Sequence, residues 1–146
     1  MVKAGVSMSL MGKTVSEWSS IAEAGGNSRD ITEAQLYMGL CYYWGFGVVK
    51  NADLCAAYIS TAAKSNNDLT ELAKGICFFG GFGVAPDMNA AVAIFQKYAY
   101  DGNALAQHEL GLCYKYGYGI KKDEVKAKEL FNACLKQGLT PARNHL

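Results

Sequence analysis

The sequence predicts an all-α fold: an α/α solenoid of about three helix–loop–helix repeats plus an N-terminal capping helix. Three observations carry this. The stretches GLCYYWGFGV from Gly39, GICFFGGFGV from Gly75 and GLCYKYGYGI from Gly111 restate one pattern 36 residues apart, with no gap in register. A stripe of apolar residues at helical spacing runs into each stretch. A helix-capping residue follows each stretch at a fixed distance. Units of this length cannot bury an apolar face alone and must stack on their neighbours. The chain of 146 residues is then one domain: an N-terminal helix within 1–30, repeats over 31–67, 68–103 and 104–139, and a tail over 140–146.

Taken in order, the first 27 residues hold half a unit. Trp18, Ile21 and Ala22, followed by Gly25-Gly26-Asn27, read like the second helix of a repeat and its stop, and Ser28-Arg29-Asp30 reads as an extra segment that displaces the spacing. The first helix of repeat one carries Ala34, Met38, Cys41 and Tyr42 at spacings of three and four; Ala106, Leu110, Cys113 and Tyr114 match them in repeat three. Gly39, Gly75 and Gly111 lie inside these helices, where glycine costs about 1 kcal/mol relative to alanine. Their recurrence predicts a close helix–helix approach that a side chain would block. Each first helix stops at glycine–aromatic–glycine–aliphatic, namely Gly45-Phe46-Gly47-Val48, Gly81-Phe82-Gly83-Val84 and Gly117-Tyr118-Gly119-Ile120. The aromatic and aliphatic members are expected to tuck the loop onto the core. Asn51, Asp87 and Asp123 then supply N-caps for the second helices. Those helices carry Cys55, Tyr58, Ile59 and Ala62, then Ala91, Ile94, Phe95 and Ala99, then Ala127, Leu130, Phe131 and Cys134, and close near Asn66, Gly102 and Gly138.

Composition narrows the function. With 51% hydrophobic and 18% charged residues the chain is neither disordered nor a coiled coil. A formal net charge of +1 exerts no global pull on nucleic acid or anionic lipid, and neither partner is expected. Lys115, Lys121, Lys122, Lys126, Lys128 and Lys136 crowd the third repeat, but Asp123, Glu124 and Glu129 interrupt them, as on a solvated face. No apolar run approaches the ~18 residues of a membrane span. The opening residues lack the continuous apolar core of a signal peptide, so a cytoplasmic location is the expectation, although the mature form of a secreted protein would read the same way.

No chemistry-bearing constellation emerges. A phosphate-cradling loop needs further glycines or a Gly-Lys-Ser/Thr ending after a strand, whereas Gly45-Phe46-Gly47 follows a helix and leads into Val48-Val49-Lys50. Cys41, Cys77 and Cys113 occupy one register, too far apart to bridge one another, and are expected to be buried, reduced and free of metal. His108 and His145 form no pair with ligand spacing, and the carboxylates are scattered. The expectation is a non-enzyme without catalytic residues, metal or cofactor.

The composite pattern A-x3-L-G-x2-Y-x2-G-x-G-V-x2-D-x3-A-x3-F-x2-A resembles the Sel1-like repeat, a variant of the tetratricopeptide family. Repeat three carries it most fully, through Ala106, Leu110, Gly111, Tyr114, Gly117, Gly119, Ile120, Asp123, Ala127, Phe131 and Gly138. Repeat two departs at Thr70, Lys74, Phe78 and Tyr98, and repeat one at Met38, Asn51, Cys55 and Asn66. The resemblance implies a right-handed superhelix with a protein-binding or adaptor role, of bacterial type. Disulfide-rich relatives pair a cysteine in each helix of a hairpin; Cys55 and Cys134 do not recur in register, which rules out a repeated bridge and leaves a single Cys41–Cys55 bridge open.

In the tetratricopeptide arrangement the first helix of each hairpin lines the inner groove. By that register the groove positions are Glu33, Leu36, Leu40 and Tyr43, then Leu69, Leu72, Ile76 and Phe79, then Leu105, His108, Leu112 and Lys115. Two readings of this mostly apolar stripe stand together: burial against the neighbouring hairpin, or a concave trough for an apolar or amphipathic partner segment. The leading functional expectation is an adaptor, as a monomer or weak dimer, that binds a protein partner in this groove. The alternatives are an inhibitor or toxin-neutralising, immunity-type protein, and a self-associating structural unit.

Overall fold

The computed structural model describes residues 8–146. A short antiparallel hairpin comes first, β1 (Ser9–Leu10) and β2 (Lys13–Thr14), paired in the register Ser9 to Thr14 and Leu10 to Lys13. Seven α-helices follow: α1 (Val15–Glu23), α2 (Arg29–Trp44), α3 (Ala52–Ala63), α4 (Thr70–Gly80), α5 (Met88–Tyr100), α6 (Ala104–Tyr116) and α7 (Glu124–Lys136). A 3₁₀ helix, Thr140–His145, closes the chain. Each helix packs on the next in sequence, so the three hairpins α2–α3, α4–α5 and α6–α7 stack in order behind α1. The all-helical solenoid is therefore the observed architecture.

Local chemistry fixes the repeat. Gly45, Gly81 and Gly117 end their helices in the left-handed conformation, at φ of 72°, 70° and 73°. In each repeat the next residue's amide reaches back five residues: Phe46 to the Cys41 carbonyl, Phe82 to Cys77 and Tyr118 to Cys113, at 2.9–3.0 Å. This Schellman closure satisfies carbonyls that the helix end leaves free. Asn51, Asp87 and Asp123 then accept from amides in the first turns of α3, α5 and α7 at 3.0–3.1 Å.

The glycine inside each first helix marks the tightest contact. A Cβ on Gly111 would stand 2.7 Å from Phe131 Cε1; on Gly75, 2.8 Å from Ile94 Cγ2; on Gly39, 2.8 Å from Ile59 Cγ1. The second helix of every hairpin thus rests on the backbone of the first. Between them lies the core, in which Ala34, Cys41, Leu72, Phe95, Cys113, Phe131 and Cys134 are at most 1% exposed. All five cysteines are buried with free thiols, and Cys41 and Cys55 form no bridge.

Three boundaries differ from the sequence reading. Ser28-Arg29-Asp30 is no insertion: the Ser28 hydroxyl accepts from the Ile31 amide as N-cap of α2, and Arg29 and Asp30 form its first turn. Within 1–30, α1 is preceded by the β1–β2 hairpin, whose turn residues Met11 and Gly12 both have positive φ, 51° and 82°. That turn type suits the twist of a two-residue hairpin. Residues 1–7 of the same segment lie outside the described residues. The tail over 140–146 is a docked element rather than a loose end, with Leu139 and Ala142 fully buried.

The two ends of the chain are stitched together. The Met11 amide donates to the Gly138 carbonyl (2.8 Å), and the Thr140 hydroxyl donates to the Ser9 carbonyl (2.6 Å). On the inner side of the hairpin, Trp18 Nε1–H donates to the Leu10 carbonyl (2.8 Å). Met11 is the only non-glycine with positive φ among the described residues, and its amide is held by the far end of the chain.

A Gly111→Ala change tests the tight hairpin. Alanine gains about 1 kcal/mol of helix propensity, but the fully buried Phe131 ring has no room to yield, and overpacking costs about 1–3 kcal/mol. The expected net is a loss of about 1 kcal/mol, read as a lower urea midpoint. An unchanged or higher midpoint contradicts the close approach.

Candidate functional site

The inner faces of α2, α4 and α6 surround a cavity of about 420 Å³. From α2 come Leu36, Leu40, Tyr43 and Trp44; from α4, Ile76, Phe79 and Gly80; from α6, Leu105, Glu109, Leu112 and Tyr116. Phe82 and Tyr118 enter from the glycine-rich loops, and Cys55 and Ile59 from α3. The interior is apolar, and the rim is aromatic and open to solvent: Tyr43, Tyr116 and Tyr118 are 49%, 52% and 40% exposed. Their rings are fixed by neighbours, with Tyr116 stacked on Tyr118 (5.4 Å between centroids) and Phe79 against Tyr118 (5.9 Å).

Of the residues expected along the groove, Leu36, Leu40, Tyr43, Ile76, Phe79, Leu105 and Leu112 meet in this cavity. Four others do not. Leu69, Leu72 and His108 are buried at 3%, 0% and 0% exposure and line no part of it. Leu69 and Leu72 lie at the start of α4, which packs on α3, and His108 is enclosed by Trp44, Phe131 and His145. Lys115 also lies outside the lining, its ammonium 5.3 Å over the Tyr116 ring. Glu33 sits half-buried beside Arg29 at 3.5 Å. Part of the stripe is thus core and part faces the cavity.

The sequence reading missed Trp44, Phe82, Glu109, Tyr116 and Tyr118. Trp44 and Tyr116 continue the Leu40 and Leu112 rows by one more helical step of four, a signal the sequence contained. Phe82 and Tyr118 are the aromatics of the glycine loops, and they turn toward the cavity instead of serving the core alone. Glu109 occupies the register of Tyr37 and Ala73, which are buried in the other repeats.

Behind the cavity wall lies a polar cluster. His108 Nδ1 and Glu109 Oε1 are hydrogen-bonded at 2.9 Å, with the His108 side chain fully buried. The His108 ring stands 6.0 Å from Trp44 and 5.2 Å from His145, and His145 stands 4.7 Å from Trp44. His108 Nε2 and Trp44 Nε1 have no hydrogen-bond partner among the described residues. Burial, with His108 and Lys115 assisting, holds the His145 imidazole down at about 4. The docked tail therefore carries a neutral histidine at neutral pH.

The site offers little for covalent chemistry. Burial pushes the Cys55 thiol up to about 12, with the Glu109 charge adding to the effect, so the one thiol lining the cavity is not a nucleophile near pH 7. Aromatic faces, aliphatic floor and one carboxylate suit recognition.

The family model of the Sel1 repeat matches residues 32–67, 69–103 and 104–138. The chain belongs to the Sel1 repeat family. Members of this family generally mediate protein–protein interaction, which agrees with a site built for contact. Among solved structures, a Sel1 repeat protein from Oxalobacter formigenes is 27% identical with a TM-score of 0.51, over 90% of this chain and 96% of that one. A protective antigen of uropathogenic Escherichia coli with an SLR fold is also 27% identical, with a TM-score of 0.49, over 90% of this chain and 27% of that one. No curated protein sequence matches the chain.

The pH response of this Sel1 repeat protein follows from His145. Unfolding or undocking the tail returns its imidazole to an ordinary value of 6.5, against about 4 when docked. As pH falls from about 6.5 to about 4 the undocked form takes up a proton that the docked form refuses, so docking weakens over that window and is unaffected above it. A proton NMR titration of His145 is expected to show a midpoint near 4. A midpoint at the ordinary value contradicts the docked tail.

Proposed function

We propose that this chain is an adaptor that seats a segment of a partner protein in the cavity between α2, α4 and α6. The observation that carries the reading is the solvent-open ring of Tyr43, Tyr116 and Tyr118 over an apolar cavity of about 420 Å³. Tyrosine offers a large rigid contact area at low entropic cost, and aromatic anchors in water-excluding recesses dominate binding energies at protein interfaces. The volume falls at the lower end of the range for ligand pockets and suits one or two side chains of an inserted segment. The hydrogen bonds between Met11 and Gly138 and between Thr140 and Ser9 tie the two ends of the chain together and hold the cavity's surroundings in place.

The test starts from a partner identified by affinity capture and mass spectrometry and then purified. Tyr43→Ala with Tyr118→Ala removes two half-exposed rings, so the melting temperature is expected to stay close to that of the unaltered protein. Affinity is expected to fall at least tenfold, corresponding to a hot-spot loss of roughly 2 kcal/mol. Undiminished affinity in a folded double variant moves binding away from the cavity.

A further inference from the structure

We infer that the cavity is anchored by arginine: the partner segment inserts a guanidinium between the rim aromatics toward Glu109. The inference rests on the adaptor reading above and specifies its recognition chemistry. Among the described residues Glu109 is the only charged one in the cavity lining. It stands where the other two repeats bury Tyr37 and Ala73, so a carboxylate replaces an apolar side chain at a core register. Its residue exposure is only 6%, and His108 serves one of its oxygens. Oε2 takes no hydrogen bond from the described residues and stays open to solvent in the cavity. A nearly buried carboxylate with one protein neighbour and one oxygen facing the cavity favours an incoming cation that supplies further donors.

The aromatic surroundings select the kind of cation. Tyr43, Phe79 and Tyr118 line the same cavity as Glu109, and aromatic rings attract cations through their negative faces. Among the described residues no lysine or arginine lines the cavity; Lys115 lies over Tyr116 and outside the lining. Guanidinium is planar, weakly hydrated and able to stack on aromatic faces while its N–H groups reach a carboxylate, whereas an ammonium holds its water more tightly. The Glu109 charge is also felt at the lining itself, since it adds to burial in pushing the pKa of Tyr43 and Cys55 up. A negative field behind aromatic walls excludes an acidic anchor and leaves an uncharged one without the ionic contribution.

Chemical-shift titration of the full chain, labelled with ¹⁵N, tests this with N-acetylarginine amide and its neutral isostere N-acetylcitrulline amide. Arginine amide is expected to shift the resonances of Tyr43, Trp44, Phe79 and Tyr118 and to bind about tenfold more tightly than the citrulline probe. Glu109→Gln, which keeps an oxygen for His108, is expected to bring the two probes level. Equal binding of both probes by the unaltered protein, or no cavity shifts with arginine amide up to tens of millimolar, overturns the assignment. A preference for N-acetyllysine amide overturns the choice of arginine. Failure of the broader adaptor reading looks different, because the purified partner then binds the Tyr43→Ala/Tyr118→Ala variant as before.

Discussion

One missing side chain, repeated three times, governs this molecule. At Gly39, Gly75 and Gly111 the second helix of each hairpin lies directly on the first, with Ile59, Ile94 and Phe131 filling the space that a Cβ would take. The helix forgoes about 1 kcal/mol of propensity at each site. In return, large side chains such as Phe95 and Phe131 become fully buried, and close packing of that kind is what holds a small solenoid together. Cap chemistry at both ends of the intervening loop then sets how each helix leaves its partner.

Three thin hairpins curl tightly enough for the ends to meet. Trp44 at the end of α2 touches His108 of α6 and His145 of the terminal 3₁₀ helix, so the first and third repeats are neighbours. The β1–β2 hairpin and the residues around Gly138 seal the circuit through backbone and hydroxyl hydrogen bonds. This closure turns what would be an open groove into a cavity with a defined rim. Binding and stability are therefore coupled here: the side chains that close the superhelix, Trp44 above all, also form a wall of the site.

The parts of this structure that local sequence dictates were legible. Glycine C-caps, Asn51, Asp87 and Asp123, and the glycines at the helix contacts each act within one hairpin, and each recurs in register. The cavity was legible only in part. Leu40, Ile76 and Leu112 share a register and share the lining, but Leu72 and His108 share a register with Leu36 and do not join it. The reason lies in contacts outside each hairpin: Leu72 is fully buried in α4, which packs on α3, and His108 is enclosed by Trp44, Phe131 and His145. The docking of the Thr140–His145 segment was hidden for a similar reason: its contacts are with residues more than a hundred positions away, such as Ser9 and Trp44. Glu109 left a trace in the sequence as a charge at a register that is otherwise apolar.

Closure of the superhelix is the claim on which cavity, rim and tail all depend. Its most direct measurement is a set of nuclear Overhauser contacts in solution at neutral pH between the Trp44 ring and the rings of His108 and His145, whose centroids stand 6.0 and 4.7 Å away. Contacts to both histidines are the expected result. A Trp44 ring with neither contact, in a protein that keeps its helical content, means an open solenoid and contradicts the account.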